Sequence, residues 1–303
     1  MGVSPSPGTA GGLRFFEGFC VKGNRDGGSR DYPAAHTTAR KPRAAASKAF
    51  LLAAGRGTRL RPLTDTTPKC LAPIHGKPLL NYWLEICEAL GVRHVLINTH
   101  HLADQVRAWA KRQSTAIRIH LAHEKVLLGS AGTLAANRDF IRGAESVYIF
   151  YADNLAQVNF DSLLACHESH SAPLTLGLFR TPHPERCGIV ELDEAGRVRR
   201  FEEKPKQPTS NLAFAGVAIA RREFFSHLPA EGFADLGQDV FPKLAGRMYG
   251  HELEGRLLDI GTLANYEQAQ QDRSWAVSFD VWNERCWGAM KTQEGIEKRE
   301  GLD

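Results

Sequence analysis

The chain has 303 residues, of which 43% are hydrophobic, and this is enough to bury the core of one large α/β domain. Its net charge of +4 arises in residues 1–47, which hold seven Lys or Arg against three Asp or Glu, so the other residues balance at 31 against 31. A neutral body argues against a nucleic-acid partner, which requires a basic face on the folded part. No apolar run approaches the roughly 20 residues that cross a bilayer, so we expect no membrane contact. The six cysteines show no paired spacing, which favours a reducing, cytoplasmic compartment.

Composition divides the chain into three parts. Residues 1–47 are rich in Gly, Pro, Ser and Arg without a helical or strand period, which predicts a disordered, low-complexity N-terminal extension. Residues 48–272 carry the regular patterns of a folded domain, and residues 273–303 form a C-terminal tail. The tail contains tryptophans that we expect to pack on the domain or on a second copy in a homo-oligomer, and these are Trp275, Trp282 and Trp287.

The glycine-containing stretch near residue 55 carries the clearest functional signal. The apolar run over 48–54 predicts a buried strand, and Gly55 and Gly57 at its carboxyl end allow backbone N–H groups to approach an anion closely. The dinucleotide-binding fingerprint needs a third glycine where Leu60 stands, and a P-loop needs a Gly-Lys-Ser/Thr end that is absent. The stretch therefore predicts a phosphate-binding loop of another type.

A basic arm follows this loop. Pro62 and Pro68 would interrupt a helix interior, so we expect an extended segment stiffened by prolines. It carries Arg59, Arg61 and Lys69, and such an arm can wrap a triphosphate.

The loop and arm together resemble the signature of the sugar-1-phosphate nucleotidyltransferases, and the matching positions are Gly55, Gly57, Thr58, Arg59, Leu60, Pro62, Leu63, Thr64, Pro68 and Lys69. The resemblance implies an NTP and a sugar 1-phosphate as substrates and Mg²⁺ as cofactor. It also implies the nucleotide-binding residues, which are Ala53, Ala54, Gly55, Gly57, Thr58, Arg59, Asn98, Gly129, Ala131 and Gly132.

Helix and strand patterns alternate after the arm. A helix is predicted over 78–90, a strand over 94–98, a helix over 101–112 and a strand over 116–123. This alternation predicts an α/β fold with a Rossmann-like, doubly wound, mostly parallel (mixed) sheet in a single nucleotidyltransferase domain. Ligands bind beyond the carboxyl ends of the strands in such sheets, and Asn98 lies at one of these ends.

A second run of small residues covers 127–134. The residues alone indicate a loop that leads into a helix through Phe140, with Ser130 or Thr133 as its N-cap. In the family that the chain resembles, this segment closes over the base and sugar of the nucleotide with backbone groups. The resemblance therefore assigns Gly129, Ala131 and Gly132 to the nucleotide.

Two aspartates stand at the ends of apolar strand patterns. Asp153 ends the run 146–153, and Asp259 ends a later run before Gly261 and Thr262. Taken alone, each can cap a helix or turn the chain. The resemblance makes both metal ligands, and two carboxylates that converge on phosphates suit Mg²⁺, which keeps several waters.

A predicted hairpin lies between the two aspartates. Strand patterns over 187–192 and 198–205 flank a turn rich in Asp and Gly, and the second strand ends in Glu203 and Lys204. As a charge run alone, this end would be a solvated edge. The resemblance instead assigns the sugar and its phosphate to residues of this region, and these are Gly188, Glu203, Lys204 and Gly216.

One position departs from the family pattern. Many relatives have Asn-Ala-Gly after the hairpin, whereas this chain has Phe214, Ala215 and Gly216, with Asn211 three residues earlier. An absent amide predicts weaker recognition of a sugar hydroxyl or a different sugar. The phosphate chemistry is unaffected.

The paired histidines do not predict a metal site. His100 and His101 are adjacent, and adjacent side chains on an extended segment point in opposite directions, so we expect loop or ligand contacts. His167 and His170 have helical spacing but no acidic or cysteine partners, which predicts a solvated helix surface.

The expected reaction converts an NTP and a sugar 1-phosphate into an NDP-sugar and pyrophosphate. Arg59 would steady the pyrophosphate, Lys69 the reacting phosphates and Lys204 the sugar phosphate, while Asp153 and Asp259 hold Mg²⁺. The resemblance favours GTP and mannose 1-phosphate. Uridylyl transfer and guanylyl transfer to a heptose 1-phosphate are the alternatives within the family, and a catalytically silent sugar-nucleotide-binding regulator is the alternative of another class.

Overall fold

A mixed sheet of nine strands forms the centre of the computed structural model, which describes residues 47–283 and residue 286. Residues 1–46, which make up nearly all of the extension predicted to be disordered, lie outside the described part of the chain. The same is true of most of the tail beyond residue 283, including Trp287.

The strands of the described residues are β1 (Lys48–Leu52), β2 (Pro73–Ile74), β3 (Lys77–Pro78), β4 (His94–Thr99), β5 (Arg118–His123), β6 (Ser146–Tyr151), β7 (Asn154–Val158), β8 (Leu174–Arg180), β9 (Gly188–Leu192), β10 (Val198–Glu203), β11 (Leu212–Arg221), β12 (Tyr249–Glu252) and β13 (Gly255–Asp259). They run along the sheet in the order β10-β9-β11-β6-β1-β4-β5, with β8 paired to β11 and β12 paired to β8, while β2 with β3 and β7 with β13 form two small sheets. β1, β4, β5 and β6 are parallel, and β11 joins them antiparallel through β6. The predicted α/β class with a mixed, mostly parallel sheet is confirmed.

Helices flank the sheet, and short 3₁₀ turns complete several of the connections. The α-helices of the described residues are α1 (Leu63–Thr66), α2 (Leu79–Ala89), α3 (Ala103–Lys111), α4 (Gly129–Ala136), α5 (Phe160–Glu168), α6 (Leu263–Gln271) and α7 (Phe279–Asn283). The predicted helices and strands between residues 78 and 123 are all present. α3 begins two residues later than expected because Leu102 has φ +52°, a left-handed conformation that a helix cannot include.

The central strand β1 separates two hydrophobic cores. Ala49 and Leu51 pack into one core and Phe50 into the other, and all three are fully buried. Successive side chains of a strand point to opposite faces, so a run without polar residues is the expected pattern for a strand covered on both sides. This burial fixes the strand from which the glycine loop emerges.

Two expectations from composition can be compared with the described residues. Among them, no helix is long and apolar enough to cross a membrane. Four cysteines of the described part carry free thiols, and these are Cys70, Cys87, Cys166 and Cys187.

The basic arm is more compact than predicted. Instead of running extended, it forms a 3₁₀ turn over Thr58–Leu60, then α1, then a second 3₁₀ turn over Lys69–Leu71. The prolines explain the difference, because Pro62 and Pro68 stand immediately before helical turns, where a missing N–H is tolerated.

The segment over 127–134 is also corrected. The helix α4 already begins at Gly129, so these residues are largely helical and do not form the expected loop. Neither Ser130 nor Thr133 caps the helix, whose N-cap position is Leu128 without a side-chain bond.

The described tryptophans of the tail pack on the domain itself. Trp275 is buried in the core and lies against the Arg256 guanidinium, whose central carbon is 3.9 Å from the ring centroid. Trp282 packs at the edge of the same core.

His167 is buried, which contradicts the predicted solvated surface. It is 1% exposed, and its ring nitrogens lie 3.1 Å from Ser146 Oγ and 2.7 Å from Thr175 Oγ1. Burial, with the nearby Arg221 guanidinium, lowers the pKa of His167 from 6.5 to about 3, and burial lowers that of His170 to about 4. The helix α5 turns this face toward β6 and β8, where two buried hydroxyl groups form hydrogen bonds with the ring.

Acidification should therefore destabilise the protein through His167. The unfolded chain protonates this group below pH 6.5 while the folded chain does not, so stability is complete above that pH and is lost as the pH falls toward 3. Between pH 7 and pH 5 the loss should be about 2 kcal/mol for this histidine. Urea denaturation at both values should show a smaller loss in His167→Gln than in the wild type, and equal losses would contradict the assignment.

Candidate active site

The glycine loop leaves the carboxyl end of β1 and is held in a tight conformation. Gly57 has φ +63°, and a Cβ atom there would lie 2.8 Å from Thr64 Cγ2 and 3.0 Å from Lys69 Cβ. Its carbonyl accepts hydrogen bonds from Leu60 N and from Thr64 Oγ1, each at 2.8 Å. Gly55 differs, because a Cβ atom there would meet no atom within 4 Å. Gly57 is thus required for packing, whereas Gly55 leaves space at the loop surface.

The two predicted metal aspartates lie side by side because of the pairing of β7 with β13. In this antiparallel pair Asp259 stands opposite Asn154, and Asp153 directly precedes Asn154. Ile260 N also donates to Asp153 O at 3.4 Å. The strand register therefore brings together two carboxylates that are more than a hundred residues apart in the sequence.

The ammonium group of Lys69 lies between these carboxylates. Its Nζ atom is 2.8 Å from Asp153 Oδ2 and 3.5 Å from Asp259 Oδ1. Arg59 Nη2 approaches Asp259 Oδ2 at 4.0 Å from the exposed side. Lys69 is only 6% exposed, whereas both carboxylates are about half exposed. The structure thus joins the four residues predicted to carry the phosphate and metal chemistry.

The chemistry of this pair suits a magnesium ion. Both groups are carboxylates, the hard oxygen ligands that Mg²⁺ takes in ones or twos while phosphates and water complete its shell. Within residues 47–283 and 286, no cluster of three or more His, Cys, Asp or Glu forms a metal site. The donor set agrees with a metal that is shared with a phosphate substrate.

The residues predicted for the sugar phosphate meet at the base of the hairpin. Glu203 of β10 pairs with Gly188 of β9, and a Cβ atom at Gly188 would lie 2.8 Å from Glu203 Oε2. Burial raises the pKa of Glu203. Lys204 has φ +50°, a left-handed conformation rare for a residue with a side chain, and its Nζ atom lies 3.5 Å from Glu203 Oε1.

Gly216, one of the residues predicted to contact the sugar, packs closely against Asn154, which follows Asp153 in the sequence. It has φ +71° at an irregularity of β11, and a Cβ atom there would lie 2.9 Å from Asn154 Nδ2 and 3.0 Å from Tyr151 Cβ. Burial, together with the negative charge of Asp235, raises the pKa of Tyr151. Only glycine allows this close approach.

The departure from the family pattern has a structural counterpart. Phe214 packs edge-on against Tyr151, with ring centroids 5.5 Å apart, and against Phe241 at 5.3 Å. Asn211 does not replace the absent amide, because its Oδ1 accepts from Arg180 Nη1 on the exposed side. The strand therefore carries an aromatic wall at this position, formed by Phe214, Tyr151 and Phe241.

Two of the backbone amides expected to face the nucleotide donate hydrogen bonds within the protein. Ala131 N and Gly132 N both donate to Ala234 O, at 2.9 and 3.1 Å, and both residues are buried. Gly129 has φ +73°, and a Cβ atom there would lie 2.3 Å from the same oxygen. A residue distant in the sequence thus accepts from both amides, and contact of this segment with a nucleotide stays a prediction.

Asn98 lies at the predicted strand end, but its side chain is committed to the protein. Its Nδ2 donates to Glu124 Oε1 and Thr133 Oγ1, and its Oδ1 accepts from Ala53 N. Direct contact with a nucleotide stays a prediction. His100 and His101 make loop contacts as expected, with Glu124 O and Thr64 O respectively.

Two acidic residues of this region were missed by sequence reasoning. Glu124 follows β5 and is buried, and its position after a strand is the same signal that identified Asp153. Asp235 accepts from Ser130 Oγ at 2.9 Å and from Gly237 N at 2.9 Å. No local pattern marks Asp235, because its partner Ser130 is more than a hundred residues away in the sequence.

Comparison with known proteins agrees with this geometry. The sequence model of the nucleotidyl transferase family matches residues 48–274. The chain belongs to this family. The resemblance inferred from the glycine stretch is thereby confirmed.

Two vertebrate enzymes are among the proteins with similar sequences. A mannose-1-phosphate guanylyltransferase catalytic subunit beta of Danio rerio is 34% identical over 220 residues, which cover 71% of this chain and 61% of the relative. A mannose-1-phosphate guanyltransferase beta-A of Xenopus laevis is 32% identical with the same coverage. The chain thus spans about three fifths of the length of these curated relatives.

Solved structures share the fold. A putative glucose-1-phosphate thymidylyltransferase from Bacillus anthracis superimposes with a TM-score of 0.66 at 23% identity, covering 74% of this chain and 94% of that one. HddC from Yersinia pseudotuberculosis, complexed with GMP-PN, has a TM-score of 0.63 at 21% identity and covers 74% of this chain and 98% of its own.

Replacement of the two loop glycines should have opposite effects on stability. Gly57→Ala places a Cβ atom against Thr64 and Lys69 in a left-handed conformation, so it should lower the free energy of unfolding by about 1–3 kcal/mol. Gly55→Ala meets open space and should leave it unchanged or raise it slightly. Urea denaturation of both variants gives the comparison, and similar values for the two would contradict the packing described.

Proposed function

We propose that the chain transfers a nucleotidyl group from an NTP to a sugar 1-phosphate, which yields an NDP-sugar and pyrophosphate. The observation that carries the proposal is the meeting of Lys69, Arg59 and two aspartates beside the glycine loop, in a chain of the nucleotidyl transferase family. Cations suited to phosphates, carboxylates suited to a metal and a backbone loop suited to the nucleotide thus lie next to one another.

An oxygen of the sugar phosphate attacks the α-phosphorus of the NTP in line. The new bond joins this oxygen to the α-phosphorus, and the bond between the α-phosphorus and the bridging oxygen breaks, so pyrophosphate leaves with the bonding electrons. The attacking phosphate is already anionic, so no general base is needed, and the protein contributes positioning and charge neutralisation.

Each charged group has one task in this scheme. Lys69 neutralises charge at the reacting phosphates, and Arg59 steadies the departing pyrophosphate. Lys204 binds the sugar phosphate, and Glu203 accepts a hydrogen bond from a sugar hydroxyl. Asp153 and Asp259 would hold Mg²⁺, which adds positive charge to the phosphates when it is bound. Gly188 and Gly216 stay the predicted sugar contacts beside the hairpin, and Ala54, Gly55 and Thr58 stay the predicted loop contacts of the nucleotide.

GTP and mannose 1-phosphate are the substrates we favour. The names of the curated relatives support this choice, since they are mannose-1-phosphate guanylyltransferases at 30% identity or more. The aromatic wall at Phe214 supports a sugar-binding surface that differs from the usual pattern, so a heptose 1-phosphate with GTP, or another sugar with UTP, is the second candidate. A silent regulator would be expected to lose a metal aspartate or a phosphate-binding lysine, and this chain keeps them.

The direct test is pyrophosphate release by the purified protein with Mg²⁺, with four NTPs crossed against mannose, glucose, heptose and N-acetylated sugar 1-phosphates. Dominant activity with GTP and mannose 1-phosphate supports both assignments. Dominance of another pair keeps the reaction class and replaces the substrates. Nucleotide binding without release in any combination would favour the silent regulator.

Asp153→Asn tests the metal carboxylate directly. The substitution removes one negative charge without changing the side-chain shape, so kcat should fall by about a hundredfold or more while the fold is retained. Asp104→Asn is the matched control, because this aspartate is exposed on α3 and pairs only with Arg107 in the described contacts. A near-normal rate for Asp153→Asn would remove the metal assignment.

A further inference from the structure

The carboxylate of Glu124 is buried, and the Asn98 amide links it to the end of the strand that leads into the glycine loop. It follows β5, is 5% exposed, and accepts hydrogen bonds from Asn98 Nδ2 at 2.8 Å, Thr133 Oγ1 at 2.5 Å and Leu128 N at 3.0 Å. Both carboxylate oxygens are used, Oε1 by the two side chains and Oε2 by the backbone. A buried carboxylate is tolerated when several donors replace its hydration, as they do here.

Glu124 decides the orientation of the Asn98 amide. The two ends of an asparagine amide have nearly the same shape, so hydrogen-bond partners determine which end faces which neighbour. A carboxylate only accepts, so the Nδ2 end must face Glu124, and its second hydrogen reaches Thr133 Oγ1 at 3.1 Å. The Oδ1 end then faces the opposite way, where it accepts from Ala53 N at 2.7 Å.

The Ala53 N–H belongs to the peptide unit that joins Ala53 to Leu52, the last residue of β1. The carbonyl of the same unit, on Leu52, accepts from Ala152 N at 3.0 Å. This peptide is therefore held from both sides, by the chain after β6 and by the Asn98 amide of β4. Its plane sets the direction in which Ala54 and Gly55 leave the strand.

We propose that Glu124 is a positioning residue for the nucleotide, acting through the Asn98 amide on the peptide that opens the glycine loop. The inference rests on the proposed function, in which this loop binds the NTP. It assigns Glu124 to the NTP side of the reaction and not to the sugar 1-phosphate side, because its bonds reach β4 and α4, and through Asn98 also β1, but not the hairpin.

Polarity reversal tests the proposal. Glu124→Gln puts an NH₂ group against either Leu128 N–H or the Asn98 and Thr133 donors, and Asn98→Asp puts a second carboxylate against Glu124. In the double variant Asn98→Asp/Glu124→Gln the polarities match again. The introduced amide donates to the introduced carboxylate and accepts from Leu128 N–H, while that carboxylate still accepts from Ala53 N–H. The net charge of the double variant equals that of the wild type.

Each single variant should raise the KM and the dissociation constant for the NTP by about tenfold to a hundredfold, because a buried donor or acceptor loses its partner. The KM for the sugar 1-phosphate should change by less than about twofold. The double variant should return the NTP values to within about threefold of the wild type. Glu194→Gln, an exposed residue of the hairpin turn, is the matched control and should behave as the wild type.

Equal increases in both KM values would overturn the proposal, and so would a double variant no better than Glu124→Gln in NTP binding. A lowered melting temperature without a change in NTP affinity would also overturn it, since that indicates a role in stability alone. If Glu124→Gln does not fold, Thr133→Val removes one donor to the carboxylate and should show a smaller loss of the same kind. NTP affinity is measured by calorimetry without turnover, so an inactive wild type that binds NTP counts against the proposed function alone.

Discussion

The contact of the Lys69 ammonium with two carboxylates is the interaction around which the candidate site is built. Asp153 and Asp259 are like charges that both contact Lys69 Nζ, at 2.8 and 3.5 Å, so the ammonium offsets the repulsion between the two carboxylates. Lys69 is almost entirely buried beneath them and is held by the turn that follows Pro68. The arm, the two-stranded sheet and the end of β6 all have to be in place for this balance to exist.

Under the proposed function, the balance of charge affects which form of the nucleotide the site favours. Two aspartates face Lys69 and Arg59, so the formal charges of the four groups cancel. A divalent cation alone meets two fixed cations, and a triphosphate alone meets two fixed carboxylates. A triphosphate that carries its cation adds less negative charge than the free triphosphate, so the site favours this complex over the triphosphate alone.

The sequence allowed us to predict that Asp153, Asp259 and the glycine loop lie together, but it disclosed only part of their surroundings. Asp153 and the glycine loop follow buried strands, and ligands gather at the carboxyl ends of parallel strands, so local pattern and a general rule were sufficient. The bonds of the Ala131 and Gly132 amides to Ala234 O could not be predicted, because Ala234 lies about a hundred residues later in the chain. His167 was misjudged because helical spacing does not tell which face packs against a sheet.

Gly255 shows how the geometry of one residue can limit the lengths that the chain tolerates. It begins β13 with φ +121°, and a Cβ atom there would lie 2.2 Å from Gln157 O, so no other residue fits the start of this strand. Four residues later the strand delivers Asp259 opposite Asn154. Because side chains alternate along a strand, an insertion or deletion of one residue between Gly255 and Asp259 would turn the second carboxylate away from the first. Length variation should accordingly be excluded from this short interval and accepted in the exposed hairpin turn at residues 193–197.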